Sequence, residues 1–179
     1  MNRSEARVIL EEWTKSESLL RHALSVSLVM EAYALKFGED EEEWAVTGLL
    51  HDADYEAYPD HHPNIVVEHL KGIGENKIAH AISAHYTKWG VPFTNRLDKA
   101  LLACDELTGF IIACSHVRPQ GLEGMKAKSV VKKLKQKSFA AKVEREEILK
   151  GIELLEVELS EHINFIISVL QQYQGRLNL

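Results

Sequence analysis

No segment of this chain shows a convincing period-two alternation of apolar and polar residues, the pattern a half-buried strand requires, against the helical spacing around it. Apolar side chains recur instead every three or four residues. The segments that carry them are seldom interrupted, because the 179 residues include only ten Gly and four Pro. Such spacing lays one apolar stripe along each helix. It predicts an all-α fold, a single helical bundle of about seven or eight helices over residues 1–179.

Local signals place the helices. Residues 4–14 carry a weak helical pattern. Ser16 or Ser18 can cap a helix running to about Lys36, and Gly38 follows where a C-terminal cap glycine belongs. Acids at 39–43 favour the positive end of a helix that reaches about Leu50. The stretch ADYEAYPDH, 53–61, is turn-rich, and Pro63 suits the first turn of a helix over about 63–71. Further helices are expected at about 75–86, 96–114, 128–136 and 144–174, the last serving as core or as a dimer surface through Ile152, Leu155, Leu159, Ile163, Ile166 and Leu170.

The formal net charge of −6 argues against a surface built to coat a nucleic-acid polymer. No segment approaches about 18 uncharged apolar residues, so no membrane partner is expected and a cytoplasmic location is. Cys104 and Cys114 stand ten residues apart in one expected helix. Ten helical residues span about 15 Å, too far for a disulfide, and buried free thiols are expected.

Several polar residues occupy positions where a helix should present an apolar one. His22 heads the row His22, Val26, Val29, Tyr33. His51 ends the row Trp44, Gly48, His51, and Asp52 follows it directly. His85 ends the row Ile78, Ile82, His85, and Asp105 shares a stripe with Leu101, Thr108 and Ile112. Any one inward histidine is readily explained as a hydrogen-bonded core residue. Three histidines and two aspartates aimed at one core would cost several kcal/mol of desolvation unless they share a partner. A divalent metal is the most economical such partner, since neutral imidazole and carboxylate suit Zn, Mn, Fe, Co or Ni.

These residues resemble the HD-domain superfamily of metal-dependent phosphohydrolases. That family carries a histidine on one helix, a His-Asp pair ending the next and a later aspartate, matched here by His22, His51 with Asp52, and Asp105. A dinuclear subset adds two histidines. The segments HHPNIV, 61–66, and ISAHYTKWGVP, 82–92, look like their surroundings and point to His62 and His85. His61 is the alternative to His62, which is preferred because it directly precedes Pro63. The resemblance covers about 18–112, and the segments VRPQGLEG and KSVVKKLKQKSFAAKVERE in the extension 113–179 look like a small bacterial group of predicted HD hydrolases.

The resemblance implies one or two divalent transition ions, with Asp52 bridging them and helping to activate water against a small phosphorylated substrate. Two departures narrow that implication. The longer His-Asp-Ile-Gly signature reads His51-Asp52-Ala53-Asp54, and the cyclic-dinucleotide branch's His-His and Gly-Tyr-Pro elements read His85-Tyr86 and Gly90-Val91-Pro92. Cyclic-dinucleotide hydrolysis is thereby disfavoured. Asp54 and Glu56 are either acceptors or general acid/base groups beside the metal, with Asp54 the catalytic candidate alongside Asp52, or members of a solvated turn. His69, His80, His116 and His162 are expected at the surface or its boundary.

Residues 126–137 hold six lysines and no acid. They form either a solvated face or, with Arg118, an anion-attracting rim in which Arg118, Lys132 and Lys133 contact substrate. Two other functions fit the same residues: di-iron, oxygen-dependent oxidation on the same fold, and a metal-bearing sensor without turnover.

Overall fold

A computed structural model describes all 179 residues. It is all helical and contains no strand. Ten α-helices occur, more than expected: α1 (Arg3–Trp13), α2 (Glu17–Phe37), α3 (Glu41–Leu50), α4 (Asn64–Gly72), α5 (Asn76–His85), α6 (Arg96–His116), α7 (Ala127–Leu134), α8 (Arg145–Leu155), α9 (Leu159–Gln172) and α10 (Gln174–Leu177). A 3₁₀ turn occupies Thr87–Trp89. No helix is long and apolar enough to cross a membrane. The backbone divides into two compact units, Met1–Leu101 and Leu102–Leu179.

In the first unit, caps explain where helices begin and end. Asn2 and Glu5 cap α1 reciprocally, and the Asp40 side chain accepts from Glu43 N at the start of α3. Gly38 closes α2 at φ 69°, a left-handed conformation that costs glycine little. Ser16 is the N-cap of α2 but makes no side-chain cap bond, since its Oγ pairs with Ser18 Oγ. Glu56 supplies acceptors there instead, taking bonds from Lys15 N at 2.6 Å and Ser16 N at 3.0 Å. Those donors, Ser16 first, hold the Glu56 carboxyl below its ordinary pKa.

Helix α2 packs against α3, and α3 against α1 and α5. Val26, Val29, Tyr33, Trp44 and Leu50 are fully or almost fully buried between them. The α2–α3 approach is unusually close at Gly48. A Cβ built there would lie 2.8 Å from Ser27 Cα and 2.9 Å from Ser27 N, and Ser27 Oγ donates to Ala45 O at 2.7 Å on the same contact. Backbone cannot yield as a flexible side chain does. Gly48→Ala is therefore expected to lose about 3 kcal/mol, through forced separation of two core helices. Urea denaturation checks this; an unchanged midpoint would show that the helices separate at no cost.

The second unit corrects two expectations. The single helix expected over 144–174 is broken after Leu155: Glu156 adopts φ 58°, and the Glu158 side chain caps α9 by accepting from Glu161 N. His162, expected at the surface, is 1% exposed and its Nε2 bonds Ala103 O at 2.8 Å. A buried imidazole with a backbone partner is an ordinary core solution. Leu155, Ile163, Ile166 and Leu170 are also buried. Both cysteines are free and buried.

Candidate metal centre

The site lies in the first unit, where the end of α3 runs into the turn after it. Helix α3 carries Trp44, Ala45, Val46, Leu49 and Leu50 into the core and so delivers His51 there, with no exposed surface. The turn that follows is held at each acid. Thr14 Oγ1 donates to Ala53 O at 2.9 Å, Glu56 holds the chain at Lys15 and Ser16, and Asp54 is fully buried. Asp54 Oδ2 accepts from Val66 N at 2.9 Å, while its Oδ1 lies 2.7 Å from His62 Nδ1. Asp54 therefore contacts a histidine rather than solvent, and Glu56 anchors backbone rather than the centre.

Three histidines share one pattern. His51 Nδ1 lies 2.8 Å from Gly48 O, and His85 Nδ1 lies 2.6 Å from Ile82 O. Carbonyl and carboxylate oxygens only accept, so Nδ1 carries the proton in His51, His85 and His62 alike. In its neutral form each ring then presents an unprotonated Nε2. All three Nε2 atoms turn toward Asp52. His62 Nε2 is 3.3 Å and His85 Nε2 3.6 Å from Asp52 Oδ1, whereas His51 Nε2 is 3.5 Å from Oδ2. His22, from α2, brings its own Nε2 to 3.2 Å from that of His51.

The donor set fits a cation. Lone pairs on imidazole nitrogens facing carboxylate oxygens repel unless a proton or metal ion lies between them. His22, His51 and Asp52 bring ligand atoms within 4.8 Å of one another, and Asp52, His62 and His85 do the same. Asp52 belongs to both groups, with one oxygen toward each. A single carboxylate shared by two imidazole pairs is an arrangement that can serve one ion or link two. The Nδ1 bonds fix ring orientation, as is usual for histidine ligands.

His61 is exposed and stands outside both groups. Asp105 is half-buried on α6 in the second unit and is in neither group. Lys132 and Lys133, on α7, and Arg118, after α6, are also in the second unit, where they line one cavity. Arg118 donates through Nε to Gly121 O and through Nη2 to Glu123 O, both at 2.9 Å.

Two features of the first unit had no place in the sequence reading. Tyr55 and Tyr86 stand edge-on to His62, with ring centroids 5.4 Å and 5.5 Å away, and Trp89 stands 5.8 Å from Tyr86. Tyr55 and Trp89 remain substantially exposed. Aromatic surface thus borders the cluster on the side of His62. The second feature is at the start of α6. Asn95 Oδ1 accepts from Asp98 N and Asp98 Oδ2 from Asn95 N, a reciprocal cap visible in the sequence as Asn-Arg-Leu-Asp. His80 Nδ1 lies 3.1 Å from the same Oδ2.

Searches of curated proteins and of solved structures return no significant match. The family model described as the HD domain matches residues 19–135, more than half of the chain, and its span includes every residue of both His/Asp groups. The chain belongs to the HD-domain family.

Proposed function

We propose that the protein is a metal-dependent phosphohydrolase acting on a small phosphomonoester or nucleotide-like molecule. The observation that carries this reading is the shared carboxylate, Asp52, between two groups of imidazole nitrogens in an HD domain. His22, His51, Asp52, His62 and His85 would hold one or two divalent transition ions. Asp105 is a ligand candidate by family resemblance alone. Bound there, such ions supply charge for the phosphoryl oxygens and lower the pKa of a water.

The chain's own residues divide the remaining work. Asp54 keeps His62 in the tautomer that leaves Nε2 available. The carbonyls of Gly48 and Ile82 do so for His51 and His85. Tyr55, Tyr86 and Trp89 offer aromatic surface beside His62 to the organic part of a substrate. Arg118, Lys132 and Lys133 attract anions to the protein.

The test is a phosphoester panel with the full chain loaded separately with Mn²⁺, Fe²⁺, Co²⁺, Ni²⁺ or Zn²⁺. Hydrolysis of at least one phosphomonoester, lost on chelation and restored by the ion, is expected. Oxygen consumption by an iron-loaded protein that hydrolyses nothing would replace this reading with oxidation. Metal retention with neither activity would leave a sensor.

A further inference from the structure

In the second unit a cavity of about 290 Å³ opens between the end of α6 and one face of α7. Ser129, Lys132 and Lys133 line it, at spacings i, i+3 and i+4 that place all three on one stripe of α7, and Gln136, just beyond the helix, joins them. The opposite stripe of α7 is different, since Ala127 and Val130 are buried. The facing wall of the cavity is apolar: Cys114, Val117 and Met125. Arg118 completes the lining, which contains three cations and no acid although the whole chain carries a net charge of −6.

None of these cations is neutralised by a carboxylate. Arg118 spends two donors on the carbonyls of Gly121 and Glu123, which fixes the guanidinium but leaves its charge. Lys133 Nζ stands over the Phe139 ring at 4.5 Å, another contact that holds the cation without cancelling it. Lys132 is exposed and makes no ion pair. The cavity thus joins a concentrated positive rim to an apolar wall, and its volume is near the lower end for small-molecule sites.

We propose that this cavity binds a small organic phosphate, its dianionic head on Lys132, Lys133 and Arg118 and a short apolar body against Val117 and Met125. The inference does not rest on the metal centre. A bare inorganic anion would leave the apolar wall wet, and an uncharged apolar molecule would leave three cations unanswered. The combination selects a molecule that has both parts.

Methionine methyl groups report on this directly, because the chain has only Met1, Met30 and Met125 and Met125 alone lines the cavity. Full-length protein carrying ¹³C-methyl methionine, kept free of metal by chelator, is titrated with hexyl phosphate, inorganic phosphate and hexanol. Hexyl phosphate is expected to shift the Met125 signal saturably while the Met30 signal, from the core of the first unit, stays in place. Inorganic phosphate and hexanol should each bind at least tenfold more weakly. Lys132→Glu, at an exposed position, and the double variant K132E/K133E should weaken hexyl phosphate binding, the double variant at least tenfold. The proposal is overturned if Met125 does not respond, if inorganic phosphate binds equally well, or if charge reversal leaves the affinity unchanged. Metal retention is not needed for any of these readings, so failure here leaves the metal centre untouched.

Discussion

An Asp52→Ala protein is expected to keep its fold and lose both metal retention and phosphoester hydrolysis. Asp52 is partly exposed and belongs to no apolar cluster, so its removal opens no core cavity. What it removes is the only carboxylate of the first unit's two ligand groups, together with both oxygens that face His51, His62 and His85. Neutral imidazoles remain, without a negative charge to offset a cation and without an atom common to both groups. The loss of affinity should exceed the roughly 10–100-fold typical of losing a group that merely orients a ligand. Turnover should fall below detection. Circular dichroism and thermal unfolding in chelator provide the control, and they should match the wild type. A D52A protein that still hydrolyses its substrate at a comparable rate would place the chemistry elsewhere.

Asp54→Asn is the sharper test of how the site is held, because it preserves shape and changes one proton. Asp54 uses one oxygen for Val66 N and the other for His62 Nδ1. An asparagine must keep its carbonyl toward Val66 N, since its NH₂ cannot accept from a backbone donor. The NH₂ then faces His62 Nδ1, which must give up its proton and accept. The proton moves to Nε2, the atom that faces Asp52, and a protonated nitrogen cannot ligate. Metal affinity is expected to drop about 10–100-fold while the fold persists. Asp54→Ala behaves differently. It leaves the Val66 N–H buried without its acceptor, which adds a stability loss of about 1–3 kcal/mol. Equal metal affinity in D54N and wild type would show that Asp54 serves the turn alone. A matching loss of affinity and of unfolding free energy in both variants would show the same.

The elements that a local rule governs were the legible ones. Gly38 and Asp40 mark the join between α2 and α3 because capping chemistry is short-range, and the inward row ending in His51 follows from helical period alone. The break after Leu155 was not legible. Neither Gly nor Pro stands there, the apolar spacing from Leu155 to Leu159 runs straight through it, and Glu156 takes a left-handed conformation that its residue type does not favour. His162 was misassigned for a related reason. It lies three residues after Leu159 and four before Ile166, at the margin of the apolar stripe, and a carbonyl on another helix decides which side of the surface it falls.

The turn after His51 shows the same limit within the site. Its acids look alike in the sequence, yet Asp52 faces the imidazoles, Asp54 holds one of them and Glu56 anchors the entry to α2. Those assignments depend on partners as distant in the chain as Lys15 and Val66, which no spacing rule connects. His62 lies outside any helix, so periodicity gave it no direction and only the family resemblance pointed to it.

Elemental analysis tests the metal centre most directly. Full-length wild type and Asp52→Ala are stripped with chelator, loaded with Mn²⁺ or Zn²⁺ and desalted, and metal is then counted per chain. Wild type is expected to retain at least one ion per chain and D52A essentially none. Substoichiometric metal in the wild type, or equal retention by the variant, would contradict a centre built around Asp52.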